Sequence, residues 1–219
     1  MAQLMPAPLA IADHAVEERE NARDPDLRRA AGKFREFMEA LGLDLMDPNL
    51  SGTGWRVARA FRELFAGVYA GEPHLRSFPN AEGYAEMVTL TDIPFHSICA
   101  HHFLPFSGTA HVAYVPRERL VGLSKLARVV DFYARRPQLQ ERMTEQVATL
   151  IQDRLDPAGA MVVIQARHLC MEMRGVARAG VTTTTSAVRG VFEGERLRGS
   201  FLALLPAGAG LRLPPTTDS

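Results

Sequence analysis

The chain has few cysteines, no excess charge of either sign and no long apolar stretch, and each absence excludes a class of protein. Its two cysteines, Cys99 and Cys170, can form at most one internal disulfide bond, so a disulfide-stabilised scaffold is excluded. No stretch approaches the roughly 20 apolar residues that a membrane-spanning helix needs, and residues 1–11 lack the basic start of a signal peptide. We therefore expect a cytoplasmic protein with no membrane partner, in which both thiols are reduced.

The formal net charge is zero, because 25 lysines and arginines balance 25 aspartates and glutamates. This excludes a general polycation, so we expect no nucleic-acid partner. Hydrophobic residues make up 47% and charged residues 23% of the 219 residues, which is typical of a globular chain and not of a disordered one. The length is enough for one domain with a small appendage.

Composition and periodicity divide the chain into three segments. Residues 1–23 have no sustained period and include the charged run Glu17–Glu20, which predicts a flexible N-terminal arm. Residues 206–219 are rich in glycine, proline and alanine and predict a disordered tail. Residues 24–205 are expected to form a single domain, whose N-terminal part, 24–71, is helical.

Hydrophobic periodicity also predicts the fold class. Helices are predicted near 25–41 and 53–70, with Asp24 as the first cap, then strands at 86–95 and 108–115, helices at 124–134 and 137–155, strands at 161–168 and 181–192, and a short helix at 194–205. Strands that arrive in adjacent pairs, with helices between the pairs, predict an α+β domain with a four-stranded antiparallel sheet and helices on one face. The edges of so small a sheet need cover, so we expect an oligomer.

The densest chemistry lies in the sequence Cys-Ala-His-His at 99–102. Cys99 and His102 form a Cys-x-x-His pair, a spacing with which one tight loop can present two ligands to one zinc ion. His168 and Cys170 stand two residues apart at the end of a predicted strand, so both would point to the same face of it. The alternative is a pair of buried thiols with hydrogen-bonded histidines, but the proximity of both cysteines to histidines favours zinc.

The number of candidate ligands distinguishes a catalytic from a structural site. A structural zinc site is normally closed by four protein ligands, whereas a catalytic one uses three and keeps a position for water. Cys99, His102 and Cys170 would supply three, and His101 and His168 would remain as acid–base groups beside the metal. These residues therefore predict metal-assisted hydrolysis. Of the other histidines, His111 is expected in the core or at an interface, His96 in a structural role, and His14 and His74 at the surface.

Further motifs stand in a fixed order with these residues. They are Cys99-Ala100-His101-His102-Phe103, Val121-Gly122-Leu123-Ser124-Lys125-Leu126, Arg136-Pro137-Gln138-Leu139-Gln140-Glu141-Arg142, His168-Leu169-Cys170, Met173-Arg174-Gly175, the run from Thr182 to Ser186, and Gly190-Val191-Phe192. In this order they resemble the GTP cyclohydrolase I family, from about Leu41 to Phe201. Several motifs in one order are far more specific than any single motif.

The resemblance implies a tunnelling-fold subunit that assembles into a barrel-like homodecamer of two pentameric rings, with active sites at subunit interfaces. It implies a zinc-dependent conversion of GTP and water to 7,8-dihydroneopterin triphosphate and formate, the entry step to folate or tetrahydrobiopterin synthesis. By position, Cys99, His102 and Cys170 would be the zinc ligands. The catalytic acid–base groups would be His101 and His168, with Ser124 as a further proton carrier.

The same resemblance assigns contacts to the substrate. Glu141 stands where the family has the carboxylate that recognises guanine, and Gln140, which precedes it in the motif, is also expected to contact the substrate. A carboxylate can accept hydrogen bonds from N1–H and the N2 amino group of guanine together, a donor pair that adenine lacks. The expected cationic contacts to the substrate are Lys125, Arg128 and Arg174, with Arg59 and Arg56 on the second predicted helix.

Ala100 is the clearest departure from the family pattern, which usually has glutamate between the cysteine and the two histidines. An alanine side chain can neither accept a hydrogen bond nor carry charge, so rate, substrate positioning or substrate identity could differ. Two alternatives therefore stay open. One is a relative in specialised metabolism that acts on GTP or a related purine nucleotide, and the other is a nucleotide-binding relative with reduced turnover.

Overall fold

The computed structural model describes residues 25–205, so the arm predicted at 1–23 and the tail predicted at 206–219 lie outside the described residues. The helices are α1 (Leu27–Ala40), α2 (Thr53–Leu64), α3 (Ala66–Tyr69), α4 (Leu123–Ala134), α5 (Gln140–Leu155), α6 (Leu169–Glu172) and α7 (Glu195–Ala203). The strands are β1 (Ser77–Pro79), β2 (Val88–Cys99), β3 (Pro105–Val115), β4 (Arg119–Val121), β5 (Pro137–Gln138), β6 (Gly159–His168) and β7 (Thr182–Gly190). The predicted α+β class is confirmed. Within this range, no helix is both long enough and apolar enough to cross a membrane.

The helical N-terminal part is a pair formed by α1 and α2. Asp26 caps α1, because its carboxylate accepts a hydrogen bond from the Arg29 amide at 2.9 Å, while the expected cap, Asp24, lies outside the described residues. The two helices cross closely at Gly54, where a Cβ atom would lie 2.5 Å from the carbonyl oxygen of Ala31. A larger residue at this position would therefore push the helices apart.

The main sheet has five strands in the order β5-β2-β3-β6-β7, so the prediction of a four-stranded antiparallel sheet is wrong in strand number and direction. The four long strands are antiparallel, but β5 pairs parallel to the end of β2. Periodicity predicts one helix over 137–155. Leu139 is instead extended, with φ −106° and ψ 136°, so α5 begins only at Gln140 and frees Pro137–Gln138 to pair as a strand.

Helices cover both faces of this sheet, so the prediction of helices on one face is also incomplete. On one face, α4 and α5 pack on residues such as Val162, with Met143 among the fully buried side chains. On the other face, Phe192 and Phe201 of the chain around α7 pack with Met161. Neighbouring residues of a strand point to opposite faces, and this is why β6 is apolar at consecutive positions.

His111 is buried inside β3, as expected of a core histidine, with 1% of its surface exposed. Its Nδ1 accepts a hydrogen bond from the Asp92 amide at 3.1 Å, and its Nε2 lies 3.4 Å from the Thr109 hydroxyl. Burial lowers the pKa of His111 below its ordinary value, and the negative charge of Asp92 opposes this only in part. The folded protein therefore favours a neutral imidazole at this position.

We expect the free energy of unfolding to fall as the pH drops below about 6.5, because the unfolded chain then protonates His111 more readily than the folded chain does. The stabilisation that comes from a neutral His111 is fully present above the pKa of the unfolded chain. It is lost as the pH falls through the lower pKa of His111 in the folded protein. His111→Gln keeps an acceptor for the Asp92 amide but does not titrate. Between about pH 8 and about pH 5.5, its melting temperature should therefore fall less than that of the wild type. The difference is at most about 5 °C, because one pH unit below the unfolded pKa is worth no more than about 1.4 kcal/mol. Equal falls in both proteins would contradict this account.

Candidate active site

A tight turn between β2 and β3 presents the first two candidate ligands. Cys99 ends β2, and its carbonyl oxygen accepts a hydrogen bond from the Phe103 amide at 2.9 Å. The Cys99 amide donates to the carbonyl oxygen of Leu104 at 2.9 Å, and the Ala100 amide donates to that of Gln138 in β5 at 2.9 Å. Backbone hydrogen bonds therefore fix this loop within itself and against the fifth strand.

Phe103 determines the conformation of the turn. Its φ of 54° lies in the left-handed region, which is unfavourable for a bulky residue. The Phe103 ring packs against Phe61 and Phe65 at the end of α2, with centroid separations of 5.9 Å and 5.7 Å. These aromatic contacts offset the backbone strain and connect the loop to the N-terminal helices.

Cys170 lies in the one-turn helix α6 and not on a strand. Because β6 ends at His168, the prediction that His168 and Cys170 lie on one face of a strand is wrong. The helix instead turns the chain so that Cys170 meets the β2–β3 turn. Arg167 fixes α6 against the end of β6, because its guanidinium donates to both carboxylate oxygens of Glu172, at 2.8 Å and 2.6 Å.

The candidate ligand atoms of Cys99, His102 and Cys170 all lie within 4.8 Å of one another. Cys99 Sγ is 3.9 Å from Cys170 Sγ and 4.0 Å from His102 Nδ1. A tetrahedral zinc ion, with bonds of about 2.3 Å to sulfur and about 2.0 Å to nitrogen, would hold such atoms about 3.5–3.8 Å apart. The three residues singled out in the sequence therefore form a group that could hold a metal ion.

The protonation of Cys170 bears on metal binding. Burial raises the pKa of its thiol, the hydrogen bond to Cys99 raises it further, and the positive charge of Arg174 opposes the rise. A metal ion must displace this proton, so binding weakens as the pH falls.

His168 lies two residues before Cys170 and has a fixed orientation. Its ring stacks on Phe106, with centroids 4.6 Å apart and planes 4° from parallel, and its Nε2 lies 2.8 Å from Gln140 Oε1. Burial lowers the pKa of His168, and the negative charge of Glu141 opposes this effect. The ring is therefore neutral near pH 7.

Two predicted substrate contacts lie close to these groups. Glu141 is exposed in the first turn of α5 and acts on the pKa of His168, while Arg174 follows α6 and acts on that of Cys170. His101 is exposed, and its ring lies 6.2 Å from that of His102. The three candidate metal ligands are therefore accompanied by two predicted acid–base groups, and by one predicted guanine contact and one predicted phosphate contact whose charges act on His168 and Cys170.

Ser124, Lys125 and Arg128 lie in the first two turns of α4. None of their side chains has a hydrogen-bond or ion-pair partner among residues 25–205. The residue before α4, Gly122, provides no side-chain cap, although its carbonyl oxygen accepts a hydrogen bond from the Lys125 amide at 2.8 Å. The amides of Leu123 and Ser124, the first two of the helix, are thus available to an anion.

Of three other candidates, Arg56 and Gln140 have hydrogen-bond partners, whereas the Arg59 side chain has none within the part of the chain that the structure describes. Arg56 donates at 2.7–3.1 Å to the Thr53 hydroxyl and to two backbone oxygens of the preceding loop. Gln140 is only 2% exposed, and its amide is hydrogen-bonded inside the protein. Arg59 is exposed on α2. The side chains of Arg56 and Gln140 are thus held by other parts of the protein in this structure.

Phe106, Arg167 and Glu172 support the site, but sequence reasoning does not predict them. The stacking of Phe106 on His168 depends on the pairing register of β3 and β6, which sequence spacing alone does not reveal. Arg167 and Glu172 are five residues apart across a strand-to-helix junction, where neither the strand nor the helix spacing rule applies. The one feature of the sequence that could have indicated this ion pair is the presence of opposite charges, Arg167 and Glu172, on either side of the segment from His168 to Cys170.

A sequence profile described as GTP cyclohydrolase I matches residues 30–205, which is most of the chain and includes every candidate site residue. The chain belongs to the GTP cyclohydrolase I family. Members similar to it include the GTP cyclohydrolase 1 of Mycolicibacterium gilvum, 50% identical over 175 residues, which is 79% of this chain and 87% of the relative. The GTP cyclohydrolase 1 of Mycobacterium tuberculosis is 48% identical over 170 residues, 77% of this chain and 84% of the relative. The resemblance seen in the sequence is thus confirmed.

Among solved structures, the archaeosine synthase QueF-Like in the apo form aligns with a TM-score of 0.40 and 20% identity, over 48% of this chain and 93% of that chain. Membership of the cyclohydrolase family rests on the sequence matches, and they span the β2–β3 turn, α4, α5 and α6.

We expect one zinc ion per chain, bound through Cys99, His102 and Cys170. His102→Ala removes a ligand and should weaken zinc binding by at least about 10²-fold, whereas His101→Ala, a change of the same size at the next position, should leave the affinity within about threefold. Competition with a chromogenic chelator measures both affinities. Similar losses in the two variants would show that this ligand assignment is wrong.

Proposed function

We propose that this chain catalyses the zinc-dependent conversion of GTP and water to 7,8-dihydroneopterin triphosphate and formate, the first step of pterin and folate synthesis. The observation that carries this proposal is the convergence of Cys99, His102 and Cys170, beside two further histidines, in a member of the GTP cyclohydrolase I family. Relatives named GTP cyclohydrolase 1 are about half identical to this chain over most of its length.

The donor set supports zinc as the metal. Two thiolates and one imidazole suit zinc, and three protein ligands are the number typical of a catalytic site with an open position. Zinc bound there supplies a Lewis acid that makes water nucleophilic at neutral pH. The surrounding side chains would bind and orient the nucleotide and transfer protons to and from it.

Opening the imidazole ring of guanine breaks a bond between C8 and a ring nitrogen. A proton must be supplied to the ring nitrogens in this step. We assign this transfer to His168 and His101. His168 is neutral near pH 7 and is held by Phe106 and Gln140, so it can take up and return a proton without moving. Ser124, at the start of α4, is the proposed proton carrier for the later rearrangement of the ribose.

Guanine recognition is assigned to Glu141. Its carboxylate is exposed at the start of α5 and near enough to His168 to influence that ring, so a base bound at Glu141 would lie close to the histidine. A bidentate pair of hydrogen bonds from N1–H and the N2 amino group would select guanine over adenine.

The triphosphate is assigned to cations on two elements. Lys125 and Arg128 project from the first turns of α4, whose N-terminal amides add partial positive charge, and Arg174 follows α6. Arg59 is a further candidate. Arg56 and Gln140 are left out of the substrate contacts because their side chains are hydrogen-bonded within the protein.

We also propose a cytoplasmic homodecamer of two pentameric rings, in which neighbouring subunits complete the active sites. The strand β7 has an open edge among the described residues, and the chain after α6 exposes Met173 (64%) and Val176 (65%). Both features support association with further copies. The mass of the native particle in solution measures the number of subunits.

The zinc-loaded protein should release formate from GTP and yield a product that becomes a fluorescent pterin on oxidation. Cys170→Ser, which loses a metal ligand, should lower the rate by at least about 10³-fold and is the control. Nucleotide binding without formate from the zinc-loaded wild type would favour a relative with reduced turnover, as Ala100 allows. Formate from another purine nucleotide, but not from GTP, would favour the specialised-metabolism alternative.

Glu141→Gln should reduce the preference for GTP over ATP by at least about tenfold, because an amide cannot accept hydrogen bonds from both guanine donors. The ratio of kcat/KM for formate release from the two nucleotides measures this preference. The matched control is Glu145→Gln, one turn further along α5, where the carboxylate is paired with Arg189 instead. An unchanged ratio in Glu141→Gln would remove Glu141 from the site.

A further inference from the structure

Gln140 is a buried polar residue whose side-chain nitrogen and oxygen both have hydrogen-bond partners. Only 2% of its surface is exposed. Its Nε2 lies 3.0 Å from the carbonyl oxygen of Ile164, 3.0 Å from that of Thr183 and 3.1 Å from Thr185 Oγ1. Its Oε1 lies 2.8 Å from His168 Nε2. The residue therefore links the first turn of α5 to β6, β7 and the histidine.

The direction of each hydrogen bond follows from the chemistry of the partners. Carbonyl oxygens only accept, so the atom facing Ile164 and Thr183 must be the amide nitrogen. A flipped amide would place Oε1 against two carbonyl oxygens inside the protein, which burial makes costly. The side-chain oxygen of Gln140 must therefore face His168.

The two threonines confirm this orientation of the amide. Thr144 Oγ1 donates to the carbonyl oxygen of Gln140 at 2.8 Å, which uses its one hydroxyl proton. In the 2.7 Å contact between Thr144 Oγ1 and Thr185 Oγ1, Thr185 must then be the donor. Because the hydroxyl proton of Thr185 is used in this bond, Thr185 Oγ1 can only accept a hydrogen bond from Gln140. The atom of Gln140 that faces Thr185 must therefore be the amide nitrogen.

These constraints reach His168. An amide oxygen only accepts, so His168 Nε2 must carry a proton and donate it to Gln140. In the neutral ring the other nitrogen, Nδ1, then holds the lone pair. Stacking on Phe106, with planes 4° from parallel, fixes the plane in which this lone pair lies. The hydrogen bond persists whether or not Nδ1 is protonated, so transfer at Nδ1 needs no rearrangement of the ring.

We propose that Gln140 is a positioning residue, which fixes His168 as its Nε2–H tautomer and leaves Nδ1 as the nitrogen that exchanges a proton with the substrate. Thr144 and Thr185 act through Gln140 by fixing the direction of its amide. This inference rests on the proposed function for the proton exchange, but the tautomer itself does not depend on it.

The first test needs no substitution in the network. Solid-state ¹⁵N spectra of the zinc-loaded wild type near pH 8.5, where imidazoles are neutral, distinguish protonated from bare ring nitrogens. The His168 signals are assigned by their loss in His168→Asn. We expect a protonated Nε2 and a bare Nδ1. A ring protonated at Nδ1, or an equal mixture of the two forms, would overturn the inference.

The second test compares Gln140→Met with Gln152→Met. Both changes remove a glutamine amide from α5, but Gln152 is three turns further on and donates to the carbonyl oxygen of Pro157 at 3.2 Å. Gln140→Met should lower kcat for formate release by roughly 10²-fold or more, with the KM for GTP within about threefold, and should abolish the single-tautomer signature. Gln152→Met should leave kcat, KM and the signature as in the wild type.

The remaining outcomes each contradict the proposal. A raised KM with unchanged kcat in Gln140→Met would make Gln140 a substrate contact, and equal losses in both variants would reduce its role to general stability. Should the wild type release no formate from GTP, the proposed function fails and with it the proton exchange, whereas the ¹⁵N spectra still decide the tautomer.

Discussion

The pairing register of β2, β3 and β6 is the constraint on which the site depends. Ile98 pairs with Pro105 and Phe106 pairs with His168, so the turn after β2 and the end of β6 reach the same end of the sheet. Two cysteines 71 residues apart in the sequence meet there as a result. A slip of one residue would move His168 to the opposite face of the sheet, away from Phe106 and Gln140.

Burial on both faces is what fixes this register. Met161 and Val162 are fully buried on opposite sides of β6, one under the chain around α7 and the other under the helical layer. A slip of one residue would exchange the larger Met161 for the smaller Val162 in two close-packed environments, which costs packing free energy on both faces. The ligands and the histidine thus lie at the ends of the most constrained strands, where side chains can be held in one geometry.

The sequence predicted the chemistry of the site better than the local structure that carries it. The three candidate ligands were found because cysteine is scarce and each cysteine stands near a histidine. The position of Cys170 in a helix was not predicted, because His168 and Cys170 were expected to lie on one strand where α6 in fact begins. The short strand β5 was missed because two residues give no periodic signal and the pairing that defines them lies about 40 residues away. Gln140 and Arg56 were expected to contact the substrate, and only the tertiary structure reveals the hydrogen bonds that their side chains make within the protein.

The start of α5 shows why neighbouring residues of one motif take opposite roles. Successive side chains on a helix point about 100° apart, so Gln140 faces the sheet while Glu141 faces solvent. The inner position must satisfy two carbonyl oxygens of the sheet, and a carboxylate there would face acceptors with no proton to give. The outer position stays solvated, and a charge is tolerated there. One turn of helix therefore supplies a neutral acceptor for His168 Nε2–H and a solvated carboxylate near the same ring. In this way a chain of zero net charge builds a strongly polar site without burying an unpaired carboxylate.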